Sequence, residues 1–210
     1  MSVFSRRHSA APQAPTPPRA DALPVGLVLG GVSLERAIGR GSSAVVYAGA
    51  DTADGSQRAV KVWAPRGGGD DAAQRASFLA EALHVQALDH PGIVRVHRSG
   101  TQDGLSYIVC ELFAGGSLAR YAGAEHRLPE PLVLDIAAQL ARALDHAHRQ
   151  GVVHRDVKPS NALFDLVTRR AALSDFGVAR APDAQASRSG VLIGSPVYMA
   201  PELLAGQSAS

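Results

Sequence analysis

Apolar residues in the first half of the chain occur in short runs that are separated by turn-forming residues. Short apolar runs with such boundaries predict β-strands. The first three runs cover residues 32–38, 44–48 and 58–63. Asp54-Gly55 lies between the second and third runs and favours a hairpin turn, so we expect consecutive antiparallel strands there.

A helical spacing of apolar residues follows the third predicted strand. It lies in residues 72–88, and its apolar positions are Phe78, Leu79, Ala82, Leu83 and Val85. Two further strands are predicted at residues 93–98 and 105–112, because residues 99–104 between them are rich in turn formers. The first half therefore predicts five strands and one helix.

The second half of the chain is predicted to be mainly helical. Ser117 can cap a short helix, and Pro131 starts a long helix that ends at Gly151. One stripe of the long helix is apolar: Leu132, Ile136, Leu140 and Leu144. The pattern predicts an α+β protein of two lobes, with the sheet in residues 32–113 and the helical part in residues 114–210.

Composition limits the compartment and the partners of the chain. Its 210 residues, 46% of them hydrophobic, can bury a core, whereas residues 1–24 are rich in Ala and Pro and predict a disordered tail. The 21 basic and 19 acidic residues are spread along the chain, so we expect no nucleic acid partner. A single cysteine, Cys110, and the lack of a bilayer-spanning apolar run favour a cytoplasmic location, with membrane anchoring left to a longer form.

A glycine-rich segment between the first two predicted strands is a candidate phosphate-binding loop. Residues 39–44 read GRGSSA, and glycines let backbone amides approach phosphate oxygens closely. Taken alone, such a segment is more often a plain hairpin turn. Its meaning therefore depends on the motifs that follow.

Two lysines stand out because the chain otherwise uses arginine as its basic residue. Lys61 and Lys158 are the only lysines among 21 basic residues. Lys61 lies in the third predicted strand, and Glu81 follows on the predicted helix. A lysine in a buried strand is costly unless it is paired, which favours an ion pair between these two residues. An edge-strand lysine beside an unrelated glutamate is the plainer alternative.

A longer motif follows the predicted long helix. Residues 154–161 read HRDVKPSN, which resembles the catalytic loop HRDxKxxN of eukaryotic-type Ser/Thr protein kinases. Residues 175–177 and 200–202 are similar to the DFG and APE motifs of the same family. The ordered set of five motifs, in the style of bacterial members, is hard to explain otherwise. The resemblance covers residues 32–204 and implies a bilobal protein-kinase-like fold, with a five-stranded antiparallel sheet and one helix in the N-lobe and an incomplete C-lobe.

The resemblance implies transfer of the γ-phosphate of ATP to Ser or Thr hydroxyls of a protein substrate. Asp156 would act as the catalytic base, and Lys158 would contact the transferring phosphate. Lys61 would bind the α- and β-phosphates, and Glu81 would orient it through an ion pair.

The resemblance also assigns metal and nucleotide contacts. Asn161, which is also counted among the catalytic residues, and Asp175 would hold Mg²⁺, with Mn²⁺ as an alternative. The other positions that would surround ATP belong to the glycine-rich loop, the adenine pocket and the hinge. They are Ile38, Gly39, Arg40, Gly41, Ser42, Val46, Ala59, Cys110, Glu111, Phe113 and Leu163.

Regulation is implied by Arg155, because an arginine beside the catalytic aspartate usually binds an anion from the activation loop in this family. We predict phosphorylation of Ser187 or Ser189, with unmodified loop serines as the alternative, and a dimer that phosphorylates itself in trans. The resemblance also matches four residues to the stacked column that links the lobes of active kinases: Val85, Val96, His154 and Phe176.

The chain shows no match to what the family places after the APE motif. We therefore expect a fragment or a truncated product that is unstable or poorly active alone, in which Glu202 lacks an arginine partner and the apolar stripe of the long helix is exposed. Two further classes stay open, a non-catalytic nucleotide-binding pseudokinase or interaction module, and a small-molecule phosphotransferase. Intact charged residues argue against the first class, and HRDVKPSN with APE argues against the second.

Overall fold

The computed structural model describes residues 23–41, 44–64, 71–176, 196–199 and 201. Its strands are β1 Val28–Leu29, β2 Val32–Arg40, β3 Ala44–Asp51, β4 Gln57–Trp63, β5 Val96–Gln102, β6 Leu105–Glu111, β7 Ala162–Asp165 and β8 Arg170–Leu173. Its α-helices are α1 Asp71–Gln86 and α2 Glu130–Arg149. Short 3₁₀ helices cover Leu118–Tyr121, Ala124–His126 and Pro196–Tyr198.

An antiparallel sheet of six strands forms the first half, in the order β1-β2-β3-β4-β6-β5. The five predicted strands are all present, and β1 is an addition at one edge. In β1, Val28 pairs with Ser33 and Leu29 with Val32. A strand of two residues is too short to show an alternation of apolar and polar positions in the sequence. Arg98 fixes the turn after β1, because its Nε donates to the carbonyl of Gly30 at 2.5 Å.

The fourth predicted strand, residues 93–98, starts three residues too early, because the observed strand β5 covers Val96–Gln102. Ile93 lies outside β5 and forms a parallel bridge with Leu173 of β8 instead. Its apolar character fits both roles, so the pattern could not separate a strand residue from a residue that joins the two halves. The predicted tail also ends too late, because Leu23 is buried and its N–H donates to the Tyr47 hydroxyl.

Helix α1 packs on the sheet through fewer residues than the periodicity predicted. Phe78, Ala82 and Val85 are buried, whereas Leu83 is 63% exposed. Leu83 directly follows Ala82 and therefore points to the side of the helix away from the sheet. Ser117 precedes the Leu118–Tyr121 turn as predicted, but its side chain makes no capping hydrogen bond.

The apolar stripe of α2 finds partners within the described residues, so the expectation that it would be exposed was wrong. Ile136 is buried against Phe164 and Ala171, which belong to the β7–β8 hairpin. Leu132, Leu140 and Leu144 are partly buried in the clusters around it. The sequence pattern did not predict this hairpin, because each strand has only four residues. The large apolar residues of α2 that are exposed are Val133 and Leu134.

One apolar core joins the two halves of the molecule. It contains residues of α1, the sheet, α2 and β8, together with Phe176 just after β8. Its members include Phe78, Ala82, Val85, Val96, Ile108, Ala143, Ala147, Leu173 and Phe176. The candidate catalytic residues lie in the segments that follow α2 and β8, and this core holds both elements in place. In the part of the chain that the structure describes, no helix combines the length and apolar character needed to cross a bilayer.

Gly115 offers a test of how closely the segment after β6 packs on β7. A Cβ at this position would lie 1.7 Å from the carbonyl oxygen of Phe164, a backbone atom that cannot move aside. We expect Gly115→Ala to lower the free energy of unfolding by about 2 kcal/mol or more in urea denaturation. Gly123→Ala is the matched control, because a Cβ there meets nothing within 4 Å. Equal stability of the two variants would contradict the packing described here.

Candidate active site

The predicted catalytic residues meet in the loop between α2 and β7. The amide nitrogen of Asn161 donates to the carbonyl of Asp156 at 2.8 Å and to its carboxylate at 2.9 Å. The ammonium group of Lys158 lies 2.8 Å from the same carboxylate oxygen, Oδ2 of Asp156. Asn161 is buried, whereas the side chains of Lys158 and Asp156 keep about a fifth of their surface exposed, at 21% and 22%. The loop thus holds one carboxylate in a fixed orientation that remains open to solvent.

His154 supports this loop from the core. Its ring is 1% exposed and lies 4.4 Å from the Phe176 ring. The N–H of Asp156 donates to Nδ1, so Nε2 carries the proton and donates to the carbonyl of Ser174 at 3.0 Å. Burial lowers the pKa of His154, and the hydrogen bond to Ser174 and the nearby carboxylates only partly oppose this effect. The neutral ring therefore links the catalytic loop to the segment after β8.

Lys61 and Asp175 face each other across the two halves. The Nζ of Lys61 lies 2.7 Å from Oδ1 of Asp175 and also lies over the ring of Phe78 in α1. Burial would raise the pKa of Asp175, but the charge and hydrogen bond of Lys61 outweigh it and lower the pKa overall. Glu81 follows Phe78 by three residues on α1, and its side chain lies outside the described part, so the predicted Lys61–Glu81 pair stays a prediction.

The two predicted metal ligands are brought close by the backbone between them. Ser174 donates its N–H and its hydroxyl to the carbonyl of Asn161, at 2.8 and 3.2 Å. Asp175 is the next residue. An amide oxygen and a carboxylate are hard oxygen donors, and Mg²⁺ commonly takes one or two protein ligands and completes its shell with water and phosphate. These residues therefore fit the metal that the family implies.

The glycine-rich segment is a β-hairpin end. Gly39 pairs with Val46 and Arg40 with Val45, and the N–H of Gly41 donates to the carbonyl of Ala44 at 2.8 Å. Ile38 is 44% exposed at the start of this end. The tip, which includes the predicted contact Ser42, lies outside the described residues.

Predicted pocket residues share one face of the sheet. Val46 pairs with Lys61 on the neighbouring strand, and Ala59 pairs with Cys110 on the next. Because Ala59 and Lys61 are two residues apart on β4, all four lie on the same side. Leu163 lies outside this sheet, on β7 in the second half of the molecule, where it forms an antiparallel bridge with Ser117. Behind Cys110 lies a small cavity of about 50 Å³, which Lys61 and Asp175 also line.

The hinge residues follow β6 directly. Glu111 ends the strand, and its N–H donates to the carbonyl of Arg95 at 2.9 Å. The ring of Phe113 stacks against the guanidinium of Arg170, 5.0 Å from its centre. Arg170 also binds the Glu111 carboxylate. No sequence motif pointed to Arg170, because its partners lie 59 and 79 positions away and are brought to it by the fold.

The four residues of the predicted stacked column are all buried. Val85, Val96 and Phe176 belong to the core that joins the halves, and His154 lies on Phe176. Arg155, in contrast, is exposed. The predicted phosphorylation sites Ser187 and Ser189, and Glu202, lie outside the described residues.

Known proteins of similar sequence are kinases. Residues 32–210 match the protein kinase domain family. The serine/threonine-protein kinase PknJ of Mycobacterium tuberculosis is 37% identical over 189 residues, which make up 88% of this chain and 32% of PknJ. Serine/threonine-protein kinase PknA of the same species is 37% identical over 194 residues, or 89% of this chain and 44% of PknA. The chain thus spans less than half the length of these relatives.

Solved structures show the same fold. The PknI kinase domain of Mycobacterium tuberculosis, as a double mutant, matches 90% of this chain and 71% of its own with a TM-score of 0.71 and 30% identity. The apo form of PpkA-294 matches 88% of this chain and 72% of its own with a TM-score of 0.76 and 23% identity, which supports the fold alone. The fold is therefore that of a protein kinase. The chain belongs to the protein kinase family, and the expected resemblance to bacterial Ser/Thr kinases is confirmed.

Acid should destabilise the chain through His154. Because the folded pKa lies below the ordinary value of 6.5, the unfolded chain binds a proton between the two values and the folded chain does not. The free energy of unfolding should therefore fall as the pH drops below about 6.5. His154→Phe keeps a ring against Phe176 but cannot titrate, so urea denaturation should show a smaller loss between about pH 7.5 and about pH 5.5.

The other histidines provide the contrast for this experiment. Burial also lowers the pKa of His90 and His97, so some acid sensitivity should remain in the variant. If the loss of stability were the same in both proteins, those residues would account for it and His154 would have no part in it.

Proposed function

We propose that this chain is the ATP-binding and catalytic part of a Ser/Thr protein kinase, which transfers the γ-phosphate of ATP to Ser or Thr hydroxyls of a protein. One observation carries the proposal. Asn161 and Lys158 fix the carboxylate of Asp156 on one side, while Asp175 faces Lys61 from the segment that Ser174 bonds to Asn161. A base, a phosphate-binding cation and two metal ligands are thus connected by direct contacts.

Asp156 would orient the substrate hydroxyl and accept its proton as the oxygen attacks the γ-phosphorus. Its carboxylate is held by the Asn161 amide, so it needs no reorganisation when the substrate arrives. Lys158 lies close enough to share its charge between this carboxylate and the transferred phosphoryl group. The transition state is loose, so positioning and neutralisation of charge are the main tasks of these side chains.

Lys61 would hold the α- and β-phosphates of ATP. The residue lies on β4 beside Ala59, and Val46 lies next to it on β3, so the same sheet face supplies the cation and the apolar cover of the adenine. Leu163 would cover the other side, and the backbone from Glu111 to Phe113 would bind the adenine edge. When Asp175 binds the metal, Glu81 would replace it as the ion-pair partner of Lys61.

Asn161 and Asp175 would hold Mg²⁺, with Mn²⁺ as a substitute. When bound, the metal would supply positive charge that neutralises the phosphate oxygens of ATP. The lowered pKa of Asp175 keeps its carboxylate ionised and ready to bind a cation at neutral pH.

The Ser/Thr class of substrate is supported by the relatives and by Lys158. PknJ and PknA are both named as serine/threonine-protein kinases, and the lysine two positions after the catalytic aspartate is typical of that branch. Self-phosphorylation in a dimer and a cytoplasmic location remain predictions. A nucleotide-binding pseudokinase remains the second candidate, and the intact contacts around Asp156 argue against it.

Asp156→Asn tests the chemical role of the carboxylate. The amide keeps the size of the side chain but cannot accept the proton, so phosphate transfer to a protein substrate should fall on the order of a hundredfold or more. Binding of Mg·ATP, measured by calorimetry, should stay within about twofold. Asp145→Asn on α2 is the control, because its carboxylate is 59% exposed and pairs with the exposed Arg149. Unchanged transfer in Asp156→Asn would refute the mechanism, and no transfer by a longer form that carries a complete C-lobe would favour the pseudokinase.

Asp175→Asn tests the metal site separately. Loss of the carboxylate should raise the Mg²⁺ concentration needed for half-maximal ATP binding by about tenfold. Asp89→Asn removes an equal charge from a side chain that is 91% exposed and should change nothing. If both variants had the same Mg²⁺ dependence as the unaltered chain, Asp175 would not be a metal ligand.

A further inference from the structure

Arg170, the first residue of β8, contacts three residues in two separate segments. Its Nη1 and Nη2 both bond the carboxylate of Glu111, the second at 3.0 Å. Its Nε donates to the carbonyl of Pro91 at 2.7 Å, in the loop between α1 and β5. Its guanidinium also covers the ring of Phe113. One side chain thus contacts the hinge twice and joins it to both halves of the molecule.

The backbone that carries Arg170 is itself fixed. Gln139 of α2 donates to the carbonyl of Arg169 at 3.0 Å and accepts the N–H of Ala171 at 2.9 Å. These two bonds lie on either side of Arg170, while Ala171 is fully buried. The guanidinium therefore extends from a backbone that is held in place, so its contacts tie the hinge to a fixed element of the fold.

The geometry gives this pair more weight than an ordinary surface ion pair. Arg170 and Glu111 are 31% and 27% exposed, whereas the exposed pair Arg149–Asp145 on α2 has values of 72% and 59%. A two-pronged arginine–carboxylate contact fixes direction as well as distance. Lysine could replace the charge of Arg170 but not the simultaneous bonds to Glu111 and Pro91.

We propose that Arg170 is a positioning residue that holds the hinge in the conformation that binds the adenine ring. This inference rests on the proposed function, since the hinge backbone at Glu111 and Phe113 would read the adenine edge. Arg170 restrains both residues through their side chains, and because the N–H of Glu111 already donates to Arg95, the carbonyl of Glu111 and the backbone of Phe113 are the groups that would face the nucleotide. Without it, the hinge would sample other conformations, and apparent affinity falls with the fraction that is competent to bind.

The test compares Arg170→Ala and Arg170→Lys with Arg149→Ala in the full chain. Hydrogen–deuterium exchange without nucleotide should show faster exchange in residues 111–116 of Arg170→Ala and unchanged exchange in the buried part of α2. The Kd for Mg·ATP should rise about fivefold, and so should the KM for ATP, with kcat within about twofold. Arg170→Lys should lie between, because it restores the charge alone. Arg149→Ala removes an arginine–carboxylate pair of the same chemistry and should behave as the unaltered chain.

Three outcomes would overturn the inference. The first is unchanged hydrogen–deuterium exchange in the hinge of Arg170→Ala. The second is unchanged ATP affinity although the hinge exchanges faster. The third is an equal rise of exchange in α2, which would make Arg170 a general stabilising residue. Failure of the proposed function is a different result. In that case the unaltered chain itself would bind no ATP, while hinge exchange would still show whether Arg170 restrains this segment.

Discussion

The contact between Leu173 and the loop before β5 fixes how the two halves of the molecule are arranged. The N–H of Leu173 donates to the carbonyl of Gly92 at 2.8 Å, and its carbonyl accepts the N–H of Val94 at 2.9 Å. Leu173 and Ile93 are both almost fully buried. This short stretch of parallel pairing ties β8 to the sheet side, and Asp175 comes only two residues later. The distance from Asp175 to Lys61 is therefore set by backbone bonds inside an apolar core.

Such an arrangement separates the source of stability from the source of chemistry. The core that contains Leu173, Phe176 and Val96 buries apolar surface, which dominates folding free energy. The ion pairs at its edge, Lys61–Asp175 and Lys158–Asp156, are partly open to water, so each contributes less to folding than the buried apolar surface does. Charges that hold the fold together could not be given up to a ligand. Charges that are only modestly favourable in the free protein can exchange one partner for a phosphate or a metal at small cost.

The sequence predicts long elements and contiguous motifs better than it predicts short strands and contacts between distant segments. Long elements such as α2, and motifs whose residues are adjacent in sequence, were predicted because their signal is local. The β7–β8 hairpin and β1 were not, since two to four residues carry no clear period. Ile93 was assigned to a strand of the sheet, whereas it pairs with Leu173, because apolar character alone does not identify the segment that a residue contacts. Arg170 gave no signal, since its role depends on the meeting of distant segments.

Backbone conformation adds a constraint that the sequence did not reveal. Among the described residues, four that are not glycine have a positive φ, and two of these, Asp103 and Arg169, lie in hairpin turns. The other two are Arg155, at 61°, and Asp175, at 57°. Such conformations cost on the order of 1 kcal/mol each.

Neighbouring hydrogen bonds offset this cost on both segments. The N–H of Asp156, just after Arg155, donates to the buried ring of His154, and Ser174, just before Asp175, binds Asn161 twice. His154 also joins the two segments directly through the carbonyl of Ser174. The two acidic side chains are therefore not placed by independent loops. A change in the backbone at one of them would strain the other, so His154 and Ser174 together keep the carboxylates of Asp156 and Asp175 in register.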